Sequence, residues 1–227
     1  GSGLGAGPDP ILAIDQEGGR VSRLRQIGNE PPNAMQIAAS TEPETFARTH
    51  GALTAELLRL FGFNLDLCPV LESSPGEQAD NSLRGRCYGF RPDEVIPRAR
   101  AFNGALCRGG IAGCGKHFPG YSFAEVDPHH HLPAIGRSRA EMEAWELAVF
   151  RACAPELDSV MVAHAFYPCL DPTRVPSSLS RAIVGDLLRR DIGFEGLVMT
   201  DDLDMGAIIE EAGPDDAFRL ALDAGND

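Results

Sequence analysis

An apolar run ending in carboxylates spans Gly196–Met205 (GLVMTDDLDM) and sets Asp201, Asp202 and Asp204 just after a stretch with strand character. A carboxylate at a strand end is a nucleophile suited to an electrophilic carbon such as a sugar's anomeric centre; it is equally an N-cap for a following helix. A second group follows Lys116-His117-Phe118-Pro119-Gly120, where Asp127-Pro128-His129 places an acid two residues from an imidazole. Such an acid can orient the ring and favour its protonated form, which makes a general acid/base; the plainer reading is a turn cap beside solvated loop histidines. His129, His130 and His131 also raise zinc, but consecutive residues rarely converge on one ion and no spaced second Cys/His pair appears, so no metal is expected.

A third group opens the chain: Ile14-Asp15-Gln16-Glu17-Gly18-Gly19-Arg20-Val21-Ser22-Arg23 joins a strand end to a glycine pair and two arginines. Asp15 there can accept two hydroxyl hydrogen bonds from a sugar while Arg23 donates others; taken alone, the same residues read as a turn with surface arginines.

These groups need a frame that brings them together. Five short apolar or alternating runs read as strands: Ile11 to Ile14, Phe63 to Val70, Ile111 to Gly115, Ser159 to Ala163 and Leu197 to Thr200. Helical patterns lie between several of them. The clearest, Thr41 to Leu60, puts Phe46, Leu53, Leu57 and Leu60 on one face and starts on a Thr41/Glu44 capping-box pair. Further helices are expected over Arg139 to Cys153 and Ser180 to Arg190.

Alternating strand and helix means parallel strands with crossover helices, in a doubly wound open sheet or a closed (β/α)8 barrel. The polar residues favour the barrel: Asp15, Lys116 with His117, His164 and Asp201 fall at the C-terminal ends of four of the expected strands, and no GxGxxG follows a strand. A barrel takes about 250 residues. Because the chain opens almost on a strand and stops at Ala-Gly-Asn-Asp, residues 1–227 are expected to form one barrel domain that is incomplete at one or both ends.

The 227 residues are 43% hydrophobic and 23% charged, enough for a sizeable core. With 33 acidic against 20 basic residues the formal net charge is −13, which repels nucleic acid and anionic lipid surfaces. No stretch approaches the roughly 20 apolar residues of a membrane span. The six cysteines lack CxxC pairs and read as reduced core residues, so a cytoplasmic setting is expected.

Taken together, IDQEGGRVSRLR, KHFPG with its downstream D-x-H and LP, AHAFYPCLDP, PSSLSR and GFEGLVMTDDLDMGAI ahead of a terminal AGND resemble glycoside hydrolase family 3 from Ile11 to Asp227. The resemblance is to its β-N-acetylglucosaminidases of bacterial cell-wall recycling. It implies a retaining hydrolase (EC 3.2.1.52 type) that needs no cofactor and removes terminal β-linked N-acetylglucosamine through a covalent glycosyl-aspartate. It further implies Asp201 as nucleophile, His129 as acid/base partnered by Asp127, and Asp15, Arg23, Arg86, Lys116 and His117 as sugar-binding positions. Alternatives are a β-glucosidase-type or phosphorolytic member and a non-catalytic sugar-binding relative. Three departures bear on these: Tyr121-Ser122 stand where the family has His-Gly, Pro128 stands within its D-S-H, and Gly85 precedes Arg86 where the family has aspartate.

Overall fold

A computed structural model describes residues 10–74, 76, 82–123, 132–204, 208 and 214–227. Each of the five strand-like runs contributes to one sheet: β1 (Ala13–Ile14), β2 (Leu65–Asp66), β3 (Ala112–Phe118), β4 (Ser159–Val162) and β5 (Leu197–Thr200). All pairings are parallel, and the spatial order is the chain order. A doubly wound sheet reverses its order at a switch point; this sheet winds in one direction only, as the strands of a barrel do.

Side chains alternate across a strand, and here the alternation selects the site. Val160, Val162 and Val198 join the main core. Leu65, Cys114 and Met161 form a separate cluster with Leu67, Ala112 and Met199. Two residues beyond Ala13, Cys114 and Met199, on the same parity, stand Asp15, Lys116 and Asp201. The apolar floor thus runs into a polar mouth at the C-terminal end of the sheet.

The connections are helical. α1 (Pro43–Leu60) joins β1 to β2, α2 (Pro92–Arg108) joins β2 to β3, and α3 (Arg139–Ala144) with α4 (Glu146–Cys153) joins β3 to β4. A π-type helical segment (Ala182–Asp191) precedes β5, and α5 (Pro214–Ala224) follows it.

Three expectations are corrected here. The start of α1 is not a Thr41/Glu44 capping box: Glu42 is the N-cap, without a side-chain cap bond, and Pro43 supplies the first helical residue with a pre-set φ. Nor does α1 bury its large apolar face. It buries Ala47, His50, Gly51, Thr54, Ala55 and Leu58, while Phe46, Leu53 and Leu60 are exposed along a groove that also takes in Leu24 and Ile27. Small residues win because α1 and α2 approach closely: a Cβ on Gly51 would sit 2.3 Å from the Phe102 carbonyl oxygen, and one on Gly109 2.3 Å from Ala55. Finally, the helix over Arg139 to Cys153 breaks at Trp145, whose φ of −126° and ψ of −84° are not helical.

All six cysteines are unpaired, four of them buried. No helix among the described residues is long and apolar enough to cross a membrane.

Candidate active site

The mouth of the sheet opens into a cavity of about 830 Å³ lined by Asp15, Arg23, Arg86, Lys116, His117 and Asp201. Every sugar-binding position expected from the sequence, and the expected nucleophile, therefore faces one space. Asp127 and His129 lie outside the described residues, 124–131 being the segment that holds them.

Lys116 is the electrostatic centre. Its Nζ is 2.7 Å from Asp15 Oδ1 and 2.7 Å from Glu17 Oε1, with its side chain almost wholly buried. Burial alone would favour the neutral amine, but Glu17 and Asp15 outweigh it and hold the ammonium charged. Glu17 also accepts two bonds from Arg86, from Nε at 2.8 Å and from Nη2 at 2.7 Å. Burial pushes the Glu17 carboxyl up, yet Lys116 and Arg86 pull it further down, to about 2. One buried carboxylate thus locks two cations at a fixed spacing beneath the cavity. Asp15 is more open, and Arg23 approaches it at 3.6 Å from the rim.

Asp201 directly follows β5. Its backbone N–H donates to the Val162 carbonyl at 2.9 Å, and its Oδ1 accepts the Asp202 N–H at 2.9 Å. Burial raises its pKa, but His117, that N–H, His164 and Lys116 lower it more, so the net shift is downward. The group is an ionised carboxylate at neutral pH. Asp202, the alternative cap, turns its Oδ1 to the Asp204 N–H instead.

His164 braces this turn. Its Nε2 lies 3.0 Å from the Asp202 carbonyl, which can only accept, so Nε2 carries the proton and Nδ1 accepts from the Ser178 hydroxyl at 2.7 Å. Burial, partly opposed by Asp201, lowers its pKa, and the ring stays neutral.

Tyr121 lies in the cavity wall with its ring centroid 4.9 Å from that of His117. It occupies the position after KHFPG, so the substitution found in the sequence is a substitution in the wall itself. Sequence reasoning assigned no role to Glu17, Glu72 or Tyr121. Glu17 stands inside the IDQEGGRVSRLR segment, but the partners that define it are distant in the chain, Arg86 being 69 residues away. Among the described residues no group of three or more His, Cys, Asp or Glu is arranged to hold a metal ion.

Comparison with known proteins bears on what this cavity takes. The profile of the family described as "Glycosyl hydrolase family 3 N terminal domain" matches residues 7–227. A beta-hexosaminidase of Neisseria meningitidis is 37% identical over 97% of this chain and 62% of its own length. A beta-hexosaminidase of Pseudomonas aeruginosa is 36% identical over 97% of this chain and 65% of its own. The crystal structure of NagZ from Neisseria gonorrhoeae in complex with N-trifluoroacetyl-D-glucosamine superimposes with a TM-score of 0.87 at 35% identity, covering 97% of this chain and 64% of that one. The chain thus spans somewhat less than two thirds of the length of these relatives.

Proposed function

The chain belongs to the glycosyl hydrolase family 3 N-terminal domain family, and from that premise we propose that it removes terminal β-linked N-acetylglucosamine with retention of configuration. The observation that carries the reading is Asp201: an ionised carboxylate at a strand end, facing the cavity whose lining also holds Asp15, Lys116 and Arg86. A sugar ring bound by hydroxyl contacts to that wall presents its anomeric carbon to the carboxylate.

Asp201 attacks that carbon while protonated His129 donates to the leaving oxygen; neutral His129 then activates water, and two inversions give net retention. Asp127 favours the charged form of the ring. An imidazole with an ordinary pKa of about 6.5 can act in both directions near neutral pH. Asp15 accepts from sugar hydroxyls, Lys116, Arg86 and Arg23 donate to them, and His117 completes the wall. We assign residues 1–227 to one catalytic domain of the (β/α)8 kind, acting on carbohydrate in cytoplasmic cell-wall recycling without a cofactor.

The likeness to proteins named beta-hexosaminidase and to a NagZ bound to an N-acylated glucosamine supports the substrate class. The test is turnover of a chromogenic N-acetyl-β-glucosaminide beside the matching β-glucoside. Preference for the former, with β-N-acetylglucosamine as first product, is expected. Preference for the glucoside defeats the substrate assignment, binding without turnover of either makes the chain a sugar-binding relative, and release of sugar 1-phosphate in phosphate buffer makes phosphate the acceptor.

A further inference from the structure

One acid beside this cavity has no place in the mechanism above. Past β2 the chain stays extended along β3: Lys116 N–H donates to the Pro69 carbonyl at 3.1 Å, and Leu71 N–H donates to the Lys116 carbonyl at 2.7 Å. That ladder sets the next residue, Glu72, against His117. The Glu72 side chain is fully buried, and its Oε1 accepts the His117 backbone N–H at 2.9 Å and stands 3.2 Å from Nδ1 of the same residue's ring. Its Oε2 has no hydrogen-bond partner among the described residues. The Tyr121 ring packs against the imidazole at 4.9 Å, tilted by 54°, so the ring is held by a polar contact at one edge and an apolar contact nearby.

A carboxylate can only accept, so whatever approaches it from the ring must carry hydrogen. The tautomer of a histidine is set by the bond its other nitrogen makes. We infer that Glu72 is a positioning residue: its carboxylate clamps the His117 ring with the proton on Nδ1, so that Nε2 meets the sugar as an acceptor. This rests on the functional reading above and refines it. Lys116 and Arg86 can only donate, and Asp15 is already engaged by Lys116 and approached by Arg23. An imidazole whose Nε2 accepts gives the wall a second place for a hydroxyl hydrogen, and the bound sugar then needs a donating hydroxyl opposite His117.

The proton position is read directly by nitrogen-15 NMR of the histidine rings, with the His117 signals identified by their loss in His117→Gln. The native chain is expected to show the Nδ1–H tautomer. Glu72→Met keeps the volume but removes the acceptor, and is expected to release the ring to Nε2–H and weaken N-acetylglucosamine binding about tenfold. Glu72→Gln, which keeps an acceptor oxygen, is expected to retain most of the affinity. Among the monodeoxy sugars, one should bind the native chain about tenfold more weakly and lose nothing further in Glu72→Met. A native Nε2–H tautomer overturns the inference, as does native affinity in Glu72→Met. Should Glu72→Met fail to fold, the native spectrum decides. If the native chain binds no N-acetylglucosamine, the functional reading fails, while the position of the proton still decides the role of Glu72.

Discussion

Replacing Glu17 by glutamine removes one charge and leaves two cations facing each other. The carboxyl is held at about 2 in the folded chain against an ordinary value of 4.5. A difference of about 2.5 units, at 1.36 kcal/mol each, corresponds to about 3 kcal/mol of stabilisation at neutral pH. Glu17 is only 5% exposed, so solvent screening takes little from that figure. Breaking a buried pair by removing one partner typically costs 3–5 kcal/mol, which agrees with it. Because the folded pKa lies below the unfolded one, the stabilisation is present above about pH 4.5 and is lost as pH falls toward 2. Urea denaturation of Glu17→Gln at pH 7 is therefore expected to show a midpoint lowered by about 1 M, taking a slope near the upper end of the usual range. The difference from the native chain should shrink at pH 3. Sugar affinity should fall as well, since Arg86 and Lys116 lose the oxygen that fixes their spacing. A variant within 0.5 kcal/mol of the native chain at pH 7 would refute the reasoning, for the ion pairs of Glu17 would then add nothing to the fold.

Other consequences run through different parts of the molecule. Burial pushes Asp66 up to about 7, against the Gln16 N–H and Lys116, and pushes Glu146 up to about 7, against its own backbone N–H and Arg137. Both bind a proton more readily folded than unfolded, so stability is fullest near pH 4.5 and declines by up to about 1.4 kcal/mol per unit for each group as pH rises through 7. A melting temperature that climbs steadily from pH 5 to 8 would contradict this. In Gly51→Ala the new methyl meets the Phe102 carbonyl at 2.3 Å, and a loss of about 1–3 kcal/mol is expected; an unchanged melting temperature would show that α1 and α2 are not so closely packed. His129→Ala should cost about a hundredfold or more with an alkyl N-acetylglucosaminide but far less with a dinitrophenyl one, which leaves without a proton. Equal losses on both would remove His129 from the acid role.

The parts that were readable in the sequence share a physical cause. The strands are short apolar runs such as Ser159–Val162 and Leu197–Thr200 that must be buried, and the two-residue alternation that buries them carries Asp15, Lys116 and Asp201 to the same face. Motif and register therefore pointed to one cavity. The helices were less legible because apolar size misled: α1 packs through Ala47, Gly51 and Ala55, and the larger residues on its other side line a groove. α2 was not read at all, since Pro97 removes an internal hydrogen bond and charges crowd its first turn. Glu17 and Glu72 are defined by partners 69 and 45 residues away, a separation that no local pattern encodes.

The central claim is that Asp201 bonds to the sugar during turnover. It is tested most directly by incubating the chain with a 5-fluoro N-acetylglucosaminyl fluoride, which forms the glycosyl-enzyme but slows its hydrolysis, then digesting it and sequencing the peptides by mass spectrometry. The account predicts one added sugar on the peptide containing Thr200-Asp201-Asp202, located at Asp201 and absent from Asp201→Asn. An adduct on any other residue, or undiminished turnover in Asp201→Asn, would contradict it.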